Sequence, residues 1–206
     1  MSYCNWASGE RILEEYHETE WGIPIFDDVS HFECLMLEAM QCGLSWLTVM
    51  KKREIFRASF DGFDFERVAK YTEADVERIM NTEGMLRSCP KIRAVRSNAK
   101  KFLEIRAEFG SFSEYIWRYK DGKTVIYDGN HDGYIPNSNG LSDEISKGLK
   151  KRGFKYIGSV TVYSYLQASG IINDHGKDCP RFAYINERFD TVKKPPCNDH
   201  NVIKYK

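Results

Sequence analysis

Apolar side chains recur every three to four residues along most of this chain, and that spacing predicts helices. Phe32, Leu35, Met36 and Ala39 mark one, broken at Gly43. Leu44, Leu47, Ile55 and Phe56 carry a second, from about Ser45 to Phe60. Thr72, followed by Glu73 and Asp75, reads as an N-cap with acids in the first turn, opening a helix toward Asn81. Ile92, Val95, Ala99, Phe102 and Leu103 mark another, with Pro90 near its start. A shorter aromatic helix covers Ser113 to Tyr119. Asp121 to Gly140 is rich in Gly, Asn and Asp and reads as a long loop, a kind of segment that is usually functional or mobile in a compact domain. Lys123 to Tyr127 has a strand-like pattern over a few residues only, and an all-α chain is expected. Ser142 is expected to cap a helix with a basic last turn (Lys150, Lys151, Arg152) that Gly153 ends. Val160 to Ala168 starts the next, and Gly170 closes it.

Length and composition narrow the class. A chain of 206 residues can form one large domain or two small lobes with a real core. It contains no apolar run of about 18 residues, so no transmembrane helix is expected. Met1 to Glu10 lacks the basic and apolar regions of a signal peptide, which points to a cytoplasmic address. In a reducing compartment Cys4, Cys34, Cys42, Cys89, Cys179 and Cys197 are expected as buried apolar residues or metal ligands, not disulfides. The formal net charge is zero, but its distribution is uneven. Only basic charges occur from Arg87 to Lys101 and from Lys147 to Lys155, and Lys51-Lys52-Arg53 is a third cluster. Any one of these is ordinarily a solvated helix face; three on a neutral chain point to a surface that tracks phosphates. Nothing demands more than a monomer.

Four constellations can carry chemistry. Cys4 and His17 near one end, and His175 and Cys179 near the other, offer two thiolates and two imidazoles. The H-x-x-x-C spacing of the second pair suits one face of a helical turn. Four protein ligands would close a tetrahedral zinc site with no open position for water, so the metal would be structural. Cys197 and His200 form a competing pair, and spacing alone leaves the ligand set open. Glu38 sits in the otherwise apolar run Cys34 to Met40. A buried carboxylate needs a partner or a task. Trp6, Tyr16, Trp21 and Trp46 lie in the same part of the sequence, and a carboxylate among aromatics suits a flat cationic ring. Finally, Phe154 to Ser159 is a Gly158-containing hairpin between two helices, able to offer backbone N–H groups to a phosphate beside Lys151.

Cys4-Asn5-Trp6, Tyr16 to Gly22, Gln41 to Trp46, Lys51 to Glu54, Lys150 to Lys155 and Asn173 to His175 together resemble the 3-methyladenine DNA glycosylase I family. The similarity runs from about Tyr3 to Pro180. The expected glycosylase domain is 1–182, with 183–206 as a peripheral tail. The resemblance implies a helix-hairpin-helix glycosylase fold, two helical lobes around a DNA- and base-binding groove. It implies Cys4, His17, His175 and Cys179 as ligands of one structural zinc ion. It also implies that Glu38 and Tyr16 contact the damaged base, that Trp46 and Trp6 line its pocket, and that Gly43-Leu44 enters the gap left by the flipped nucleotide. The implied activity is excision of 3-methyladenine from alkylated double-stranded DNA by N-glycosidic hydrolysis, leaving an abasic site. Two positions depart from the family pattern: Leu13 replaces a tyrosine, and Tyr156 stands before Ile157-Gly158 where a glycine is usual. No residue is assigned to the attacking water; Asp174, beside His175, is the one candidate. The rival readings are a non-catalytic damage-binding module on the same scaffold and a zinc-stapled protein-interaction domain.

Overall fold

A computed structural model of the chain describes residues 4–128, 130 and 135–196, and the backbone of 202–203. Its helices are α1 (Arg11–Thr19), α2 (Asp28–Gln41), α3 (Trp46–Lys51), α4 (Arg53–Ser59), α5 (Phe65–Val68), α6 (Glu73–Met80), α7 (Cys89–Phe109), α8 (Phe112–Trp117), α9 (Gly140–Lys151), α10 (Ser159–Ala168) and α11 (Pro180–Arg188). Short strands are β1 (Thr124–Tyr127), β2 (Ile135–Pro136), β3 (Thr191–Lys194) and β4 (Val202–Ile203). The chain divides into two compact units. The first is Met1–Ile25, Ile116–Ser146 and Gly158–Lys206; the second is Phe26–Tyr115 and Lys147–Ile157.

The second unit is helical. Its core is an aromatic cluster in which Phe102 of α7 stacks on Phe112 at 4.0 Å and meets Phe32 of α2 edge-on at 5.3 Å. All three rings are fully buried. The caps explain where its helices start. Asp27 accepts from the Ser30 N–H to open α2, and the Asp28 carboxylate accepts from the N–H groups of Phe112 and Ser113 at the start of α8. Thr72 caps α6 as the sequence suggested, and Asp75 completes a reciprocal capping box with it. The helix expected from Ser45 to Phe60 is instead two, α3 and α4, because Lys52 leaves helical geometry at φ −110°, ψ 2°.

The first unit is helical with strand pairings, so the chain is mostly helical and not all-α. The strand-like run in the long loop is β1, whose four residues are all buried. It pairs in parallel with β3, Val125 opposite Val192. The Val125 N–H also donates to the Ile171 carbonyl at 2.8 Å, and its carbonyl accepts from Asn173 at 2.9 Å. Burial of β-branched residues explains the departure from helix. β2 pairs with β4 in antiparallel fashion. The expected Ser142 cap is also corrected. Asn139 caps α9 by accepting from the Ser142 N–H, while the Ser142 hydroxyl accepts from the Asn139 N–H. No helix among the described residues is long and apolar enough to cross a membrane.

Gly170, just past α10, has φ +72°, and a Cβ there would lie 2.3 Å from the backbone nitrogen of Pro24. Neither the conformation nor the contact tolerates a side chain. Gly170→Ala is therefore expected to cost at least about 3 kcal/mol and to lower Tm by roughly 6–12 °C. Thermal unfolding checks this; a loss under about 1 kcal/mol contradicts the close packing.

Candidate functional site

The first unit brings Cys4, His17, His175 and Cys179 together. All four are buried, and their donor atoms lie within 4.8 Å of one another. The His17 Nε2 and His175 Nδ1 atoms are 3.1 Å apart, and the Cys179 Sγ is 3.6 Å from each. The Cys4 Sγ is 3.7 Å from His175 Nδ1. The outer nitrogens fix the tautomers. His175 Nε2 lies 3.0 Å from the Trp21 carbonyl, which can only accept, so the proton sits on Nε2 and Nδ1 presents a lone pair. His17 Nδ1 donates in the same way to Glu18 Oε1 at 3.0 Å, leaving a lone pair on Nε2. Burial lowers the His175 pKa and keeps that ring neutral. A mutual hydrogen bond pushes the Cys179 thiol down and the Cys4 thiol up, so one proton serves two sulfurs. Two sulfurs and two lone pairs converging in a sealed space suit a metal ion. This cluster can hold one.

His175 and Cys179 do not sit on a helical turn, which corrects the reading from spacing. His175 lies in a loop and Cys179 is the N-cap of α11, with the Cys179 N–H donating to the Gly176 carbonyl to close the turn. Cys197 and His200 lie outside the described residues. Aromatics surround the cluster. Trp21 lies edge-on to His175 at 4.5 Å and stacks near His17 at 6.0 Å; Trp6 lies edge-on to Trp21 at 5.0 Å and to Tyr16 at 6.3 Å. Leu13 and Tyr16 are both buried on α1.

The second unit holds Glu38, Gly43, Leu44 and Trp46. Glu38 is only 5% exposed, and its Oε2 has no hydrogen-bond partner among the described residues. Burial pushes its pKa up to about 8. Past the end of α2 the chain makes a type II turn: Cys42 has φ −42° and ψ 111°, Gly43 has φ +80°, and the Leu44 N–H donates to the Gln41 carbonyl. A residue with a side chain is strained at that φ, which is why Gly43 stands there. Leu44 emerges from the turn 38% exposed, and Ser45 then caps α3, placing Trp46 at its first position.

Around the hairpin, Lys151 is exposed in the last turn of α9. Tyr156 takes the left-handed conformation, φ +58°, that the usual glycine would take. Gly158 is the N-cap of α10 and gives it no side-chain cap hydrogen bond. Buried Asn98 holds the hairpin by exchanging two hydrogen bonds with the Lys155 backbone, a role no sequence pattern announced. Several basic residues of the clusters are paired: Arg93 and Arg96 with Glu73, Lys101 with Glu104, and Arg152 with Glu108. Asp174 is not placed to activate water. It is 1% exposed and accepts hydrogen bonds from Asn130, Tyr163 and Gln167.

The methyladenine glycosylase family model matches residues 6–182. The chain belongs to this family. It is 40% identical over 179 residues to DNA-3-methyladenine glycosylase 1 of Escherichia coli (strain K12), covering 87% of this chain and 96% of that protein. It is similar to the structure of 3-methyladenine DNA glycosylase I from Staphylococcus aureus that concerns 3-methyladenine recognition: TM-score 0.81, 36% identity, 86% of this chain and 94% of the other. A variant of 3-methyladenine DNA glycosylase I in complex with 3-methyladenine matches with TM-score 0.82 and 35% identity, over 87% of this chain and 97% of the other.

The unpaired carboxyl of this methyladenine glycosylase has a stability signature. A folded-state pKa of about 8, above the value for an exposed glutamate, means burial is tolerated while the group is protonated and becomes costly as pH rises. Glu38→Gln mimics the protonated form. Its stability relative to wild type is expected to rise from about 1 kcal/mol at pH 5 to about 5 kcal/mol at pH 9. Denaturant unfolding at both pH values checks this; a pH-independent difference contradicts it.

Proposed function

We propose that this chain is a DNA-repair glycosylase that flips 3-methyladenine out of alkylated double-stranded DNA and hydrolyses its N-glycosidic bond, leaving an abasic site. One observation carries the reading within the family: a buried carboxylate oxygen on an apolar helix, left without a partner at Glu38. Such an oxygen suits a ligand that brings its own donor and positive charge. Adenine methylated at N3 brings both, a cationic ring and an exocyclic amine.

The chemistry asks little of the protein. A base inside the duplex must leave the stack before its glycosidic bond is reached. The methylated base is already cationic, so the C1′–N9 electron pair can leave on N9 and release a neutral base. Water then adds to the oxocarbenium-like sugar and loses its proton to solvent. Glu38, protonated in the free protein at neutral pH, would release its proton to solvent water as the cation enters and become the pairing carboxylate. Tyr16, Trp6 and Trp46 are proposed to contact the base by stacking and edge contacts, with Trp21 backing Trp6. Leu44, presented by Gly43, is proposed to fill the vacated stack. Lys151 and the N–H groups after Gly158 are proposed to hold phosphates. The protein is expected to act as a cytoplasmic monomer, its glycosylase domain spanning 1–182.

We propose zinc as the ion of the Cys4, His17, His175 and Cys179 cluster, since two thiolates and two imidazoles are its usual structural donor set. Bound there, zinc supplies a crosslink and no reactive position, because the protein provides all four ligands. Glu18 and the Trp21 carbonyl orient the imidazoles from outside.

Two measurements test these readings. Glu38→Ala is expected to lower excision of 3-methyladenine by at least about 100-fold in kcat/KM while undamaged duplex binds as before. Excision at the wild-type rate removes Glu38 from the site, and duplex binding without base release by the wild-type chain overturns the enzyme in favour of a binding module. Elemental analysis is expected to find one zinc per chain, lost in Cys179→Ser; a stable metal-free preparation contradicts the four-ligand site.

A further inference from the structure

We propose that Lys91 is a positioning residue that sets the Gly43-Leu44 turn, and so makes the protein competent on duplex DNA in particular; the proposal rests on the reading of Leu44 as the residue that fills the flipped nucleotide's place. Lys91 lies in a basic stretch and looks like one more phosphate contact. Its ammonium is instead turned inward. Nζ donates to the Met40 carbonyl at 2.8 Å and to the Cys42 carbonyl at 2.5 Å, and the side chain is partly buried. Met40 is in the last turn of α2, where carbonyls lack helical partners. Cys42 is the first central residue of the type II turn. One cation therefore bridges the helix end and the turn that follows it.

That bridge adds a long-range hold to a turn that one backbone hydrogen bond closes. In a type II turn the central peptide is held only by the single bond across the turn, here from the Leu44 N–H to the Gln41 carbonyl. The Gly43 backbone is the freest in the chain's repertoire, and no Cβ contact would restrain it, since open space surrounds that position. Fixing the Cys42 carbonyl fixes the peptide that joins Cys42 to Gly43. The positive charge also complements the negative end of the α2 dipole. Lys91 is supplied by α7, whose packing into the aromatic core makes it a rigid base for the turn. The exposed Leu44 is thus presented from a pre-set loop, and little ordering remains when the duplex opens.

The test compares double-stranded and single-stranded alkylated DNA, since only the duplex leaves a hole opposite a paired base. Lys91→Gln, which cannot reach both carbonyls, is expected to lower kcat/KM on the duplex about tenfold and on the single strand less than about twofold. Lys91→Arg, with several N–H donors, is expected to restore most of the duplex rate. Adding Leu44→Ala to Lys91→Gln is expected to cost much less than Leu44→Ala alone, because both act through one turn. The salt dependence of undamaged-duplex binding is expected to keep its slope. Equal losses on both substrates, additive effects, or a slope reduced by about 1 would overturn the proposal, the last by making Lys91 a phosphate contact. Lys91→Met keeps the aliphatic stem and supplies the same comparison if Lys91→Gln does not fold. Wild-type duplex excision by Leu44→Ala removes the wedge reading, and this proposal with it. A duplex defect in Leu44→Ala without one in Lys91→Gln removes this proposal alone.

Discussion

An unpaired carboxylate can stay inside an apolar helix face only while everything else holds that helix in place. The rest of the second unit is arranged around this constraint at Glu38. At the start of α2, Asp27 caps the helix and Asp28 ties it to the backbone of Phe112 and Ser113. In the middle, Phe32 locks it into the aromatic core with Phe102. At its end, Lys91 takes up the Met40 and Cys42 carbonyls. Each contact is modest by itself, about 1 kcal/mol for a typical hydrogen bond. Together they oppose the cost of keeping this carboxyl from water, which burial lessens by holding it protonated and which reaches several kcal/mol once it ionises. The buried carboxyl is therefore a stored cost, held by packing elsewhere.

The first unit meets a different constraint with the same logic. It is assembled from three separate stretches of chain. Its Cys/His cluster links the first stretch, through Cys4 and His17, to the last, through His175 and Cys179. The pairing of Val125 with the segment at Ile171 to Asn173 delivers His175 to that meeting point. Asp174 serves the same end, its carboxylate gathering Asn130, Tyr163 and Gln167 beside the ligand loop. A residue that looked like a candidate for water chemistry is thereby a structural acceptor. The carboxyl whose pKa burial raises lies in one unit, and the Cys/His cluster that can hold a metal in the other.

Much of this was legible in the chain, for identifiable reasons. Local signals with one physical meaning read correctly: the Thr72 cap, Pro90 in the first turn of α7, Gly170 after α10. Glu38 was legible because a charge within an apolar run is a contradiction that sequence displays directly. Features settled by distant partners were not. β1 looked too short to stand alone, and its partner β3 lies far along the chain. Asn139 and Ser142 are both good cap residues, and only geometry shows which accepts from the helix. The H-x-x-x-C spacing fits a helical turn, yet a loop ending in the Cys179 cap brings the donors equally close. Lys91 belongs to a basic stretch that reads as a solvated face, and Asn98 carries no signal, because their partners are backbone carbonyls and amides, which leave no mark on side-chain pattern.

The central claim is that the Glu38 carboxyl is buried and unpaired in the free protein, and the most direct test is its own titration. Carbon-13 NMR of the glutamate carboxyl carbons, with Glu38→Gln to assign the resonance, follows that group alone. The account predicts a midpoint near pH 8. A midpoint near the ordinary glutamate value, about 4.3, would show a solvated or paired carboxylate and contradict the account.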